Sequence, residues 1–150
     1  MKRFFDLFFS IIFLTLISPI FLIFCILIKL DSNGPIFFVS ERVGINNTKF
    51  NMPKFRTMFN NTEIIETSKI VNSENKITRI GKWLRKYSID ELPQFFCVLI
   101  GKMSIVGPRP ALSSQIDLLN KRNELGINKL KPGITGYAQI NGRDLISDDE

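Results

Sequence analysis

The sequence predicts an α+β chain, mostly helical, in which an N-terminal membrane helix precedes one small domain with interfacial amphipathic helices. Three observations carry this reading. In residues 4–28, 20 of 25 are apolar, whereas the other 125 residues hold 47 apolar ones, an ordinary soluble composition. Over residues 76–87, basic and apolar residues recur at helical spacing. Short β-type runs at 36–39 and 50–55 are bounded by turn residues. This asymmetry excludes a fully soluble chain, a polytopic transporter and an intrinsically disordered one.

The anchor comes first. Twenty-five helical residues extend roughly 37 Å, against roughly 30 Å of hydrocarbon, so length alone permits a span. Ser18-Pro19 interrupts it. Proline has no N–H and crowds the carbonyl four residues back, at Thr15, which the Ser18 or Thr15 hydroxyl can then satisfy. The halves, 4–17 and 20–28, are each too short to cross. Lys2 and Arg3 before the segment and Lys29 after it suit two ends on the same cytoplasmic face. A hairpin dipping into one leaflet and a kinked, complete span both fit the segment itself. A cleavable signal is not expected, because the apolar run is long and Lys29-Leu30-Asp31 follows it in place of a small-x-small site.

Asp31-Ser32-Asn33-Gly34-Pro35 is a turn cluster that ends the anchor. Residues 36–39 read as extended, Arg42-Val43-Gly44 as a turn, and 50–55 as a second extended piece demoted to an edge by Pro53. Residues 60–75 are polar and loop-like. Lys76, Arg79, Lys82 and Arg85 recur every three residues beside Ile77, Ile80, Leu84 and Tyr87, which predicts a helix over 76–87 with a basic and an apolar stripe. Lys86 adds a fifth base, no acid occurs, and Trp83 favours interfaces, so beside a membrane anchor this helix is expected in the head-group layer. A solvated face over an ordinary core is the plainer alternative. Residues 90–100 are apolar but too short to span. Leu112, Ile116 and Leu119 mark a further helix ending near Gly126, and Lys131-Pro132-Gly133 opens a Gly-rich loop with Gly136 and Gly142.

Inventory removes several chemistries. The chain has no His, and its two cysteines, Cys25 and Cys97, cannot build a zinc site; neither a P-loop nor a G-x-G-x-x-G turn is present. Cys25 reads as a small hydrophobe, no disulfide is expected, and the usage fits a reducing compartment. Net charge is +6, rising to +10 over residues 1–143 once Asp144, Asp148, Asp149 and Glu150 are set aside. A basic body implies an anionic partner, and for a tethered domain anionic lipid is the first one met. A nucleic-acid partner is not expected, because the basic stretch lacks interleaved aromatics beyond Trp83 and Tyr87.

Three groups of residues suit chemistry. In Ser88-Ile89-Asp90-Glu91-Leu92-Pro93-Gln94, two adjacent carboxylates follow five bases. Ser88-x-x-Glu91 also reads as a capping box, with acids in a first helical turn. A carboxylate at a positive helix end beside Arg85 is expected to stay ionised, usable as a nucleophile or metal ligand. In Gly107-Pro108-Arg109-Pro110, two prolines restrict the backbone around a guanidinium suited to bidentate phosphate binding, or make a rigid connection whose arginine is merely exposed. In Lys54-Phe55-Arg56-Thr57-Met58, alternation puts Lys54 and Arg56 on one face of an extended segment, as a half-buried edge strand also does.

The ordered series Lys2-Arg3-x-x-Asp6, Ser18-Pro19, Gly34-Pro35-Ile36-Phe37, Arg42-Val43-Gly44, Lys54-Phe55-Arg56-Thr57-Met58 and Ser88-Ile89-Asp90-Glu91-Leu92-Pro93-Gln94 resembles the bacterial sugar transferase family. So do Met103-Ser104-Ile105-Val106-Gly107-Pro108-Arg109-Pro110 and the run from Lys131-Pro132-Gly133 through Asn141-Gly142-Arg143. These are the monotopic phosphoglycosyl transferases, and the matches run in order through nearly the whole chain. The resemblance implies transfer of a sugar-1-phosphate from a UDP-sugar to undecaprenyl phosphate, with UMP released. That step starts assembly of lipopolysaccharide O-antigen, capsule, exopolysaccharide or glycoprotein glycans. It implies magnesium, a re-entrant anchor broken at the Ser-Pro pair, and a catalytic domain on the cytoplasmic side of the bacterial inner membrane, in contact with its lipid.

By the same resemblance, Asp90 and Glu91 are catalytic, with Asp90 the nucleophile that carries a covalent phosphosugar and Glu91 a magnesium ligand. Lys54, Arg85 and Arg109 are the bases expected around the phosphates. Residues 1–30 are then the anchor and 31–150 the transferase domain, expected to be C-terminally truncated because family members continue beyond the motif ending at Arg143. An inactive, membrane-bound family member that binds lipid phosphate or a partner protein is the alternative.

Overall fold

The computed structural model describes residues 1–60 and 76–140. The first element is α1 (Lys2–Asp31), a helix of 30 residues that continues through Pro19 rather than stopping at it. The Ser18 hydroxyl donates to the Thr15 carbonyl at 2.9 Å, satisfying the acceptor that proline, lacking an N–H, leaves free. Phe4, Phe8, Leu16, Leu22 and Ile26 are among many exposed apolar side chains on it, and the helix is long and apolar enough to cross a membrane. The remainder is mixed α and β, with helix dominant, as the sequence predicts.

The chain divides into two units: Met1–Leu14, Val39–Met52 and Gln94–Glu150 form one, and Thr15–Phe38 and Pro53–Pro93 the other. Strand β1 (Phe37–Val43) runs on through Arg42, where a turn is expected, and pairs with β2 (Lys49–Phe55). The connection from Gly44 to Thr48 is far too short for a parallel crossover, so the two make a hairpin.

In the first unit, Phe50, Met52, Cys97, Val98 and Met103 form a buried core against which Ile105 and Ile134 pack. Its elements are α3 (Gln94–Leu99), β3 (Ser104–Val106), α4 (Ile116–Glu124), β4 (Gly133–Thr135) and α5 (Tyr137–Ile140). Strands β3 and β4 are parallel, with Ser104 opposite Gly133 and Val106 opposite Thr135, and α4 lies in the crossover that a parallel pair requires. The stretch after Lys131 is therefore a strand and a short helix, not the loop its glycines suggest. Those glycines allow close backbone approach instead: a Cβ on Gly133 would lie 2.1 Å from the Gly107 amide nitrogen. The start of α1 is fastened here. Lys2 donates to the Val106 carbonyl at 3.0 Å, Arg3 to those of Val98 and Leu99, and the buried Asp6 accepts from the Ser104 hydroxyl at 2.9 Å and the Ile105 amide at 3.1 Å.

In the second unit, Phe24, Ile28, Phe55 and Leu84 form the buried core, with Phe21, Ile36, Ile80, Ile89 and Leu92 against it. Helix α2 (Arg79–Lys86) starts three residues later than its periodicity predicts, because Thr78 caps it by accepting from the Gly81 amide at 2.9 Å and Ile77 is drawn into a β-bridge with Met58. Asp31, at the end of α1, accepts from the Ile80 amide at 3.0 Å, placing a carboxylate where the exposed N–H groups of α2 favour one. Arg56 is buried and donates to the Ser32 carbonyl at 2.6 Å and hydroxyl at 2.8 Å, and to the Asn33 carbonyl at 3.2 Å, holding the turn after α1. The expected polar loop at 60–75, Asn60 apart, lies outside the described residues, as do Gly142, Arg143 and the acidic tail.

Helix α2 rests on backbone. A Cβ at Gly81 would lie 2.1 Å from the Thr57 carbonyl oxygen, an atom with no flexible side chain to move aside. Gly81→Ala is therefore expected to destabilise the fold by about 1–3 kcal/mol despite its better helix propensity. Thermal or urea denaturation checks this, and an unchanged midpoint contradicts the packing described.

Candidate active site

Four charged side chains of the second unit come from three segments. Lys54 is the penultimate residue of β2, Arg85 lies in the last turn of α2, and Asp90 and Glu91 lie in a 3₁₀ turn, Ile89–Glu91. Ser88 joins the last two segments in a left-handed conformation, φ 55° and ψ 23°, which reverses the chain after α2. For a residue with a Cβ that conformation costs about 1–2 kcal/mol. The anticipated capping box does not form: Ser88 makes no cap hydrogen bond, and the next helix begins at Gln94, just after the buried Pro93. Glu91 turns instead to β2.

Lys54 Nζ meets Glu91 Oε1 at 2.8 Å, with the two side chains 18% and 13% exposed. Arg85 Nε donates to the Thr57 hydroxyl at 2.8 Å. Burial lowers the Arg85 pKa from the ordinary arginine value while the Asp90 charge opposes that shift; a guanidinium remains a cation throughout. Burial pushes the Asp90 carboxyl above the usual aspartate value; Lys54 lowers it, Glu91 raises it, and Arg85 lowers it. Water loss outweighs the two cations, so the pKa goes up.

The second unit thus gathers Lys54, Arg85, Asp90 and Glu91. Arg109 belongs to the first unit, exposed between Pro108 and Pro110, with its carbonyl accepting from Arg122 Nη1 at 2.9 Å. Lys54 and Arg56 are separated in role, the former facing Glu91 and the latter tied into the turn after α1. The basic stripe of α2 loses Arg85 to the site. Arg79, Lys82, Trp83, Lys86 and Tyr87 remain exposed, with Trp83 and Tyr87 in edge contact at 5.1 Å and Lys86 Nζ 5.4 Å from the Tyr87 ring centre. Two residues carry functions that sequence reasoning does not assign them. Thr57, which orients Arg85, lies in a recognisable motif, but its partner is 28 residues away. Gly81, which admits that close approach, sits in a helix where a glycine gives no local signal.

A pH signature follows from Asp90. Its native pKa lies above the unfolded value of about 3.9, so the native state binds that proton more tightly. The stabilisation is complete at low pH and is lost as pH rises from the unfolded value through the native one. Asp90→Asn should accordingly melt higher than the parent at pH 7, with the gap closing as pH falls toward about 4. Melting curves across that range check this; a lower midpoint for the variant at pH 7 contradicts the burial of Asp90.

Comparison with known proteins places the chain in a family. The bacterial sugar transferase family aligns with residues 1–150. The chain is 41% identical to the undecaprenyl-phosphate glucose phosphotransferase of Komagataeibacter xylinus, over 99% of this chain and 30% of that protein. It is 40% identical to the UDP-N-acetylgalactosamine-undecaprenyl-phosphate N-acetylgalactosaminephosphotransferase of Aeromonas hydrophila, over 93% of this chain and 33% of that one. It is also 40% identical to the uncharacterized sugar transferase EpsL of Bacillus subtilis, covering 98% of this chain and 71% of the relative. The chain spans about a third of the length of the first two relatives. On the family match over its whole length and these identities, the chain belongs to the bacterial sugar transferase family.

Proposed function

We propose that this chain transfers a sugar-1-phosphate from a UDP-sugar to undecaprenyl phosphate at the cytoplasmic face of the bacterial inner membrane, through a covalent intermediate on Asp90. The observation that carries the reading is the convergence of Asp90, Glu91, Lys54 and Arg85 in a partly buried site of one unit. A carboxylate with little water around it is a stronger nucleophile than a solvated one. Here it is flanked by two cations that favour its charged form and match a diphosphate.

In the first step, an Asp90 carboxylate oxygen attacks the sugar-bearing phosphorus. The bond from that phosphorus to the bridging oxygen breaks, and UMP departs with the electron pair. In the second step, a phosphate oxygen of undecaprenyl phosphate attacks the same phosphorus, the aspartyl–phosphorus bond breaks, and the carboxylate is restored. Splitting the transfer lets donor and acceptor use one site in turn. The adjacent Glu91 cannot play the same part, because its carboxylate is directed to Lys54. Lys54 and Arg85 are the phosphate-binding bases of the second unit in this reading, and Arg109 is read as a phosphate ligand from the family resemblance alone.

Magnesium fits the donor chemistry. It binds through one or two carboxylates and completes its shell with water and substrate phosphates, and Asp90 and Glu91 supply hard oxygens without a third such residue among those described. Glu91 is the residue that would hold it, and when bound it would neutralise diphosphate charge.

A re-entrant anchor accords with both ends of α1. The first is bonded to β3 through Lys2 and Asp6, and the last to α2 through Asp31. Residues 87–103, which connect α2 to β3, contain no stretch long enough to cross a membrane, which supports the re-entrant reading. The exposed Trp83, Tyr87, Lys82 and Lys86 then suit the head-group layer, where the phosphate of the polyprenol lies.

The test is UMP release from a panel of UDP-sugars in the presence of undecaprenyl phosphate. Asp90→Asn should reduce it by about 10⁴-fold or more. Full turnover by that variant removes Asp90 as the nucleophile. Absence of release by the parent chain, with lipid binding intact, favours a membrane-bound family member without catalysis. Because Lys54 favours the ionised form of Asp90, Lys54→Met should move the acidic limb of the rate–pH profile to higher pH. An unmoved limb contradicts that coupling.

A further inference from the structure

We infer that Arg122 is a positioning residue for Arg109, an inference that rests on reading Arg109 as a phosphate ligand. Arg109 sits between two prolines, so neither neighbour has an N–H and the segment is held chiefly through its carbonyls. Three of these are engaged from three different elements. The Pro108 carbonyl accepts from the Gly133 amide at 2.9 Å, and the Ala111 carbonyl accepts from the Val43 amide at 3.0 Å. Between them, the Arg109 carbonyl accepts from Arg122 Nη1 at 2.9 Å. Two supports are backbone to backbone and come with the fold; that at Arg109 itself is a side chain.

Arg122 is unusual for an arginine in the last turn of an exposed helix. It is half-buried beside Pro108, Leu119, Ile127, Leu130 and Pro132, and burial lowers its pKa from the ordinary arginine value. Among the described residues no carboxylate pairs with it. A partly buried guanidinium without an acid partner is favoured by a charge-assisted bond to a carbonyl, and here that bond, at the protein surface, is to Arg109. A short, proline-bounded turn fixed at its central carbonyl holds the Cα of Arg109 in place. Its exposed guanidinium then searches a small volume, and less entropy is lost when it closes on a phosphate.

UDP is the probe, titrated calorimetrically into the full-length chain in detergent, with melting midpoints recorded for every variant. Arg109→Ala should weaken UDP binding about tenfold, as expected for a lost charge-assisted contact. Arg122→Met should weaken it by a similar factor with Arg109 still present, and Arg122→Lys, which keeps a cation able to reach the carbonyl, should recover most of the loss. The double variant Arg109→Ala/Arg122→Met should bind no more weakly than Arg109→Ala alone, because the two act as one unit. Arg122→Met or Arg122→Lys binding UDP as the parent does, while Arg109→Ala is impaired, overturns the inference and leaves the phosphate reading standing. Additive losses also overturn it, showing that Arg122 acts independently of Arg109. If Arg109→Ala itself binds UDP normally, the phosphate reading fails, and the inference fails with it.

Discussion

Lys54 and Glu91 meet at 2.8 Å with their side chains 18% and 13% exposed. Removing two charges from water costs several kcal/mol per ion, and their attraction offsets this only when the geometry is good. Once formed, such a pair is hard to break from one side, since the survivor is left buried and unpartnered. The pair therefore fastens a three-residue turn to the end of a strand 37 positions earlier in the chain. Asp90 lies inside that turn, so the contact that holds Glu91 also fixes its neighbour. Arg85 is placed by an analogous device, a bond to Thr57 at the other side of the same strand end.

The consequence for Asp90 is a compromise. Burial makes the ionised carboxylate unfavourable, while Lys54 and Arg85 partly restore it. An ionised group kept short of water lowers the stability of the fold that carries it. The left-handed Ser88 immediately upstream adds backbone strain of the kind that gathers at functional sites. Stability comes instead from the apolar cluster of Phe24, Ile28, Phe55 and Leu84, which packs the end of the anchor helix beneath the strand and helix that bear the cations. The end of α1 and the site thus share one core within that unit, so the apolar helix contributes to the fold.

Much of this was legible in the chain because it is written locally. The apolar run at 4–28, the extended segments on either side of Gly44 and the helix-spaced Ile80 and Leu84 each declare themselves within a few residues. The adjacency of Asp90 and Glu91 is likewise a local fact. What the sequence misjudged depends on contacts made far away. Ser88 and Glu91 look like a capping box until Lys54 claims the carboxylate. The burial that raises the Asp90 pKa comes from the surrounding unit and has no local signal. Gly133 and Gly136 suggest a flexible loop, although they permit the parallel contact with residues 104–107. The helix start slips from 76 to 79 because Ile77 finds a bridge partner in Met58.

The proposed transfer requires one bond, that between an Asp90 oxygen and the sugar-bearing phosphorus. Intact-protein mass spectrometry after mixing the chain with a UDP-sugar, without lipid acceptor, tests it most directly. The expected result is a mass increase equal to one sugar phosphate, mapped to the peptide containing Asp90 and discharged when undecaprenyl phosphate is added. Accumulation of lipid-linked product with no such adduct at any time after mixing would contradict it.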